Sequence, residues 1–224
     1  MRRANTLTLA ALALGLVSAA CGRDAIAPQR VPVPEGAPSP DIIVDRIAPD
    51  SMSADFTVTP TGGAFVLGKH AIHFPANSIC NPATSSYGPT EWDAPCEPLT
   101  EPIQIHAEIR HKDGFQWIEF SPELRFVPTD DPFGYVWLYM KSEQAENPDV
   151  LERFAILWAP SDTAQAIDES STDPTLATYL WRDGGVIFRR IKHFSHYQGS
   201  DGYHGEVYTA DALVVEVSFG FSLR

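Results

Sequence analysis

Short stretches rich in β-branched and aromatic residues recur along most of this chain, separated by Gly, Pro or Asp. This spacing predicts many short strands joined by tight turns. No segment keeps a helical period, and only residues 142–151 are expected to form a short helix. The pattern therefore predicts an all-β fold, an antiparallel β-sandwich. The predicted strands are residues 56–58, 71–74, 103–109, 117–120, 135–140, 154–158, 179–181, 186–194 and 212–223.

The N-terminal residues have the features of an export signal. Residues 1–20 combine the basic Arg2 and Arg3 with an apolar run and a small-residue end just before Cys21. The apolar run is too short to span a bilayer, so it indicates a signal peptide. The sequence VSAAC resembles the lipobox of bacterial lipoproteins, which implies that Cys21 carries a fatty acyl anchor such as palmitate. The alternative is an ordinary signal peptide followed by an unrelated cysteine.

Residues 21–52 are predicted to be a tether between the lipid and a folded domain. Prolines at positions 28, 32, 34, 38, 40 and 49 favour extended, polyproline-like chain over a packed helix. Residues 53–224 are long enough for one domain with a sizeable core. We therefore expect a protein of the bacterial cell envelope, anchored through Cys21, with its domain in the periplasm or on the cell surface.

The charge of the chain limits its partners. It has 16 basic and 29 acidic side chains, a formal net charge of −13. Removal of the signal takes away Arg2 and Arg3, which leaves 14 basic against 29 acidic groups and a net charge of −15. Such a surface repels nucleic acid and anionic lipid headgroups, so the acyl chain is the expected membrane contact.

The three cysteines suggest one disulfide. With Cys21 assigned to the lipid, Cys80 and Cys96 are the only possible intramolecular pair. Export to an oxidising compartment makes that pairing the expected one.

Two long insertions interrupt the strand pattern. Residues 81–100 contain Tyr87 and Trp92, and residues 161–177 are acidic and polar. Long ordered loops often carry function, so Trp92 is a candidate contact residue. The favoured alternative is that Trp92 packs beneath its own loop.

Several segments in order resemble the ZU-five (zonula occludens/uncoordinated-five) domain family. The resemblance covers about residues 56–197 and implies a β-sandwich that serves as an interaction or assembly module. The partner of such a module varies across the family, so no partner is implied. The segments are Gly62-Gly63, AIHFPANSI at 71–79, FSPELRFVP at 120–128, YVWL at 135–138, FAILW at 154–158 and IKHFSHY at 191–197.

The His193-Phe194-Ser195 motif is similar to one at which some ZU-five relatives cut their own backbone. The resemblance implies a scissile Phe194-Ser195 bond, with Ser195 as nucleophile and His193 as the candidate base. In a strand, residues two apart share a face, which places His193 beside Ser195 and turns Phe194 into the core. The favoured alternative is an inert strand in which His193 is half-exposed.

Other chemistry finds little support in the sequence. Paired histidines such as His193 and His196 are an odd number of residues apart, which places them on opposite strand faces, so no metal site is predicted. The clusters Asp130-Asp131 and Asp168-Glu169 with Asp173 match no calcium loop and are expected to be solvated. No hydrolase elbow or phosphate-binding loop occurs, and no cofactor is predicted.

We therefore expect a non-enzymatic envelope lipoprotein with an interaction or structural domain. Its partner would be an unidentified protein or polysaccharide. One alternative is a domain that cleaves its own Phe194-Ser195 bond in a single turnover. The other is a carbohydrate- or polymer-binding module that uses some of the five tryptophans, Trp92, Trp117, Trp137, Trp158 and Trp181.

Intact-mass spectrometry of the protein isolated from its native membrane tests the N-terminal assignment. We expect a mature chain that begins at Cys21 and carries the added mass of lipid. An unmodified Cys21 would contradict the lipobox interpretation.

Overall fold

A computed structural model describes residues 34–40, 48–112, 114–146, 154–161 and 163–201. The predicted signal peptide, Cys21 and the predicted strand 212–223 lie outside these residues. Within them, no helix is long and apolar enough to cross a bilayer.

The described residues form ten strands in two antiparallel sheets, which confirms the predicted all-β class. Sheet A has the order β1-β4-β5-β10-β7, and sheet B has the order β2-β3-β6-β9-β8. The strands are β1 (Met52–Val58), β2 (Gly63–Leu67), β3 (His70–Phe74), β4 (Ile103–Lys112), β5 (Phe115–Ser121), β6 (Val136–Lys141), β7 (Phe154–Ala159), β8 (Tyr179–Trp181), β9 (Val186–Ile191) and β10 (His196–Asp201).

The differences from the sequence prediction are local. The polar β10 and the short β2 were not predicted, and β9 ends at Ile191 instead of continuing to residue 194. The predicted helix 142–151 is a 3₁₀ turn at Glu143–Glu146, as far as the described residues extend. The strand β10 shows little apolar alternation because Gly199 and Asp201 occupy the positions where apolar residues would be expected, and Tyr197 alone supplies a large ring.

The two sheets share one hydrophobic core. Along β4, Ile105, Ala107 and Ile109 are buried while their neighbours are more exposed, as expected when one face of a strand meets the core. Leu138 on β6 and Ile118 on β5 bring the two sheets into the same cluster of buried residues. The core is therefore made by alternate residues of both sheets.

The outer face of sheet B carries a second aromatic cluster. Trp137 and Tyr139 alternate with the core residues of β6 and are only 2% and 1% exposed. Residues 34–40 lie against this face, where the Tyr139 hydroxyl donates to the Pro38 carbonyl over 2.9 Å. Part of the Pro-rich segment is therefore packed on the domain.

One turn requires glycine, and the expected disulfide is confirmed. Gly62, just before β2, has a φ of 73°. A Cβ there would lie 2.1 Å from the Phe74 carbonyl oxygen, so only glycine fits. Cys80 and Cys96 form a disulfide with their Cα atoms 5.6 Å apart.

Replacing a core leucine tests the shared core. Leu138→Ala is expected to lower the free energy of unfolding by about 2–5 kcal/mol, because it removes fully buried methyl groups and leaves a cavity. Urea denaturation measures the change. The control Phe133→Ala alters a side chain that is 62% exposed and should shift stability by less than about 0.5 kcal/mol. Equal effects of the two substitutions would contradict the assigned core.

Candidate functional site

The His193-Phe194-Ser195 motif lies where the chain crosses from sheet B to sheet A. It joins the end of β9 at Ile191 to the start of β10 at His196. The Phe194 amide donates to the Leu124 carbonyl over 2.6 Å, and the Phe120 amide donates to the Ser195 carbonyl over 3.2 Å. The crossover is thus held by residues 120–126, a segment that begins at the end of β5 and continues beyond it.

The crossover corrects the expected exposure of the motif. His193 and Phe194 are both 0% exposed and Ser195 is 9% exposed, so the prediction of a half-exposed His193 in a continuous strand is wrong. A chain that passes between two sheets has protein on all sides, which explains the difference. Phe194 does lie in the core, with its ring stacked on Phe120 at a centroid distance of 4.4 Å.

A buried carboxylate holds the His193 ring. Glu169 Oε1 lies 3.2 Å from His193 Nε2, and Glu169 Oε2 accepts a hydrogen bond of 2.6 Å from Arg189 Nη2. Burial acts to raise the pKa of Glu169, but the His193 hydrogen bond and the Arg189 charge outweigh it and keep this pKa below its usual value. The carboxylate is therefore ionised at neutral pH.

An ionised carboxylate can only accept hydrogen bonds, which fixes the tautomer of His193. Its Nε2 carries a proton and donates to Glu169, so in the neutral ring Nδ1 has a free lone pair. Nδ1 lies 3.3 Å from the carbonyl oxygen of Phe194. The neutral imidazole would present a base beside the bond that joins Phe194 to Ser195, whereas a hydrogen bond to the carbonyl oxygen, which only accepts, requires a proton on Nδ1 as well.

Arg189 completes this buried network from β9. It alternates with Ile187 and Ile191, so it lies on the inner face of sheet B, and it is 0% exposed. Besides Glu169, its guanidinium donates to the Ile156 carbonyl over 2.7 Å and to the Arg190 carbonyl over 3.1 Å. Each of the three guanidinium nitrogens therefore has an acceptor.

Tyrosine hydroxyls reach the backbone of the motif from two directions. Tyr87 donates to the Phe194 carbonyl oxygen, and Tyr197 donates to the His193 carbonyl over 2.6 Å. Burial raises the pKa of Tyr87 to about 12, with a smaller opposing effect from Ser195, so the phenol keeps its proton and remains a donor. The Ser195 hydroxyl donates to the Ala159 carbonyl over 3.1 Å.

Two tryptophans enclose His193. The Trp92 ring stacks on the imidazole at 3.6 Å between centroids and 14° between planes. Trp158 approaches the same ring edge-on at 5.5 Å. Trp92 thus packs on the motif, not merely beneath its own loop, and it excludes water from one face of the imidazole.

The five tryptophans do not share one surface. Trp92 and Trp158 surround His193, and Trp137 and Trp181 belong to the aromatic cluster of sheet B. Trp117 lies at a separate groove with Arg110 and His196. This distribution offers no row of exposed rings to a carbohydrate.

The acidic clusters from the sequence serve mainly as turn caps. Asp131 and Asp173 accept backbone hydrogen bonds at the starts of 3₁₀ turns, as does Asp168. Glu169 is buried instead of solvated, which corrects its predicted setting. Among the described residues, no group of three or more His, Cys, Asp and Glu side chains is arranged to hold a metal ion.

Sequence reasoning identified the three motif residues but missed the side chains that surround them. Tyr87 and Glu169 come from the two long insertions, where no periodicity indicates the direction of a side chain. Arg189 carried a readable signal, because it is a charged residue that shares a strand face with the apolar Ile187 and Ile191.

Comparisons with family models, with curated proteins and with solved structures find no match to this chain. The lipobox and ZU-five resemblances therefore stay predictions. What the motif can do follows from the positions of its own side chains.

Substitution of Glu169 tests the buried network. Glu169→Gln is expected to lower the free energy of unfolding at about pH 7 by about 3–5 kcal/mol, because it leaves the Arg189 charge without its carboxylate. The folded-state pKa of Glu169 is lowered, so its contribution is present above the unfolded-state value of 4.5 and is lost as pH falls through the folded-state value.

Urea denaturation at about pH 7 and about pH 3 measures this contribution. The stability difference between wild type and Glu169→Gln should shrink at the lower pH. The exposed Glu123 provides the control Glu123→Gln, which should behave as wild type at both pH values. A difference that is independent of pH would contradict an ionised Glu169.

Proposed function

We propose that this protein is a lipid-anchored envelope domain that cuts its own chain once, between Phe194 and Ser195. The observation that carries the proposal is the convergence on the Phe194 carbonyl. The Tyr87 hydroxyl donates to its oxygen, and the His193 base lies beside it with Glu169 fixing the ring. The lipobox-like VSAAC sequence and the disulfide support the envelope setting.

The first step is an attack within the motif. The Ser195 hydroxyl passes its proton to His193 Nδ1, and Ser195 Oγ forms a bond to the carbonyl carbon of Phe194. The carbonyl oxygen becomes an oxyanion that already accepts a hydrogen bond from Tyr87. The new proton on Nδ1 supplies a second donor, since that atom lies 3.3 Å from the same oxygen.

Collapse of this intermediate breaks the peptide bond. The bond from the Phe194 carbonyl carbon to the Ser195 nitrogen breaks, and His193 returns its proton to that nitrogen. The result is an ester between Phe194 and Ser195 Oγ, with a free amino group on Ser195. Water then hydrolyses the ester to give a Phe194 carboxylate and a Ser195 hydroxyl.

In the uncut state the Ser195 hydroxyl makes a hydrogen bond to Ala159 that the reaction must break. Ser195 Oγ donates to the Ala159 carbonyl and has to turn towards His193 before it can attack. A neutral hydrogen bond of this kind contributes about 0.5–1.5 kcal/mol. An oxyanion donor contributes about 2.7–4 kcal/mol to a transition state, so the cost of turning is the smaller quantity.

The fold would keep the two products together. The second product begins at Ser195, and its strand β10 pairs with both β5 and β7 inside sheet A. Tyr197 on this strand is 0% exposed. The cut chain would therefore remain one domain that separates only on denaturation.

A static interaction or structural module is the second candidate. The Ser195 hydrogen bond to Ala159 favours it, because the hydroxyl is satisfied without touching His193. In that case the motif joins the two sheets, and the ZU-five resemblance would indicate an assembly role.

Intact-mass analysis of the purified full chain under denaturing conditions distinguishes the two candidates. Self-processing predicts a fragment that begins at Ser195, whereas Ser195→Ala stays uncut. Tyr87→Phe should slow the cut by about 10²–10³-fold, because it removes an oxyanion donor.

Ser200→Ala is the matched control. It changes another buried serine of β10, 5% exposed, and should be cut as wild type is. A wild-type chain that is folded by circular dichroism and still intact after prolonged incubation would overturn self-processing and leave the static module.

A further inference from the structure

The loop that carries Tyr87 is fastened at its base. Cys80 and Cys96 close it with a disulfide, and backbone hydrogen bonds pair the two arms beside them. The Asn81 amide donates to the Glu97 carbonyl, and the Leu99 amide donates to the Ile79 carbonyl, each over 2.8 Å. The loop therefore leaves and re-enters the domain at one point.

Arg125 holds the same loop from inside. Its guanidinium donates to main-chain carbonyls of the loop, and the side chain is only 5% exposed. Charge-assisted hydrogen bonds to four carbonyls fix the path of the loop more tightly than neutral contacts would. The acceptors are Ser86 and Glu91, each at 2.9 Å, Ala94, and Pro95 at 3.3 Å.

The backbone of Arg125 also pairs with the motif. Arg125 and His193 form an antiparallel bridge, and the Phe126 amide donates to the Lys192 carbonyl over 2.8 Å. One residue thus connects the scissile region, through its backbone, with the loop, through its side chain. Lys192 adds an ion pair of 2.6 Å to Asp93 of the loop.

We propose that Arg125 and the Cys80–Cys96 disulfide position Tyr87 on the Phe194 carbonyl, so that self-cleavage requires the disulfide. This inference rests on the proposed self-cleavage. Arg125 is a positioning residue, because it touches none of the reacting atoms. Tyr87 is the catalytic residue, because its hydroxyl donates to the Phe194 carbonyl, and the loop holds it there.

The consequence is a cut that depends on compartment. A chain with reduced cysteines loses the covalent closure of the loop and keeps only its non-covalent contacts, and opening the loop withdraws Tyr87 from the carbonyl. Oxidation removes two electrons and two protons from the thiols of Cys80 and Cys96. A protein disulfide or glutathione disulfide accepts them and leaves as two thiols. Cleavage would therefore follow export to an oxidising compartment.

Refolding under two redox conditions tests the dependence. The full chain is produced in a reducing cytoplasm, its uncut fraction is measured at the start, and it is then unfolded, reduced and refolded with either dithiothreitol or glutathione disulfide. Intact mass follows the fraction cut at Ser195, and circular dichroism follows the sheets. We expect cleavage in the oxidised chain and a rate about 10²-fold lower in the reduced chain, the effect of losing one oxyanion donor.

Double variants show whether the effect passes through Tyr87. In the oxidised chain, Arg125→Lys should slow the cut, because one ammonium cannot span four carbonyls. Combining it with Tyr87→Phe should give no further loss, and reduction should not slow Tyr87→Phe further. Arg110→Lys, a change at a surface arginine, should leave the rate unchanged.

Each outcome decides between defined alternatives. Equal rates in reduced and oxidised wild type would overturn the redox requirement and leave self-cleavage in place. No cutting under either condition would overturn self-cleavage and this inference with it. If the reduced chain does not refold, a wild-type rate for Arg125→Lys, or losses that multiply in the double variant, would overturn the positioning role.

Discussion

The buried contact between Arg189 and Glu169 is the interaction on which the site depends. Removing two charges from water costs several kcal/mol per ion, and their attraction offsets this only where the remaining donors and acceptors are also paired. Arg189 meets that condition through the carbonyls of Ile156 and Arg190, and Glu169 meets it through His193. The network therefore holds the Glu169 carboxylate in one position. That position directs Nε2 of His193 to the carboxylate and leaves Nδ1 facing the Phe194 carbonyl.

The strand pattern predicted the fold because alternation is a local property. Residues such as Ile105, Ala107 and Ile109 show which face of a strand is buried, whatever the strand pairs with. Alternation also predicted that Phe194 points inward. It failed for His193, since the rule that exposes every second residue requires a strand with one solvated face. The crossover between the two sheets has none, and nothing local in IKHFSHY indicates that β9 stops at Ile191.

Two side chains that contact the motif, Tyr87 and Glu169, could not be predicted, because they come from distant and aperiodic segments. Tyr87 is 107 residues from its acceptor Phe194, and Glu169 is 24 residues from His193. The sequence did mark both insertions as unusual for their length. The acidic insertion contributes the carboxylate that orients the imidazole, and the disulfide-closed insertion contributes the donor to the carbonyl. The sandwich itself contributes the rigid crossover.

The contacts of the motif fall into those that the fold requires and those that only cleavage would require. The fold needs Phe194 in the core and backbone pairing at the crossover, which an inert motif also provides. A tyrosine hydroxyl on the Phe194 carbonyl and a base oriented by a buried carboxylate add little to such a core, because apolar residues of similar size commonly serve as well as a buried ion pair. We propose that their coincidence at one peptide bond serves a reaction at that bond, which the hydrogen bond from Ser195 to the Ala159 carbonyl opposes.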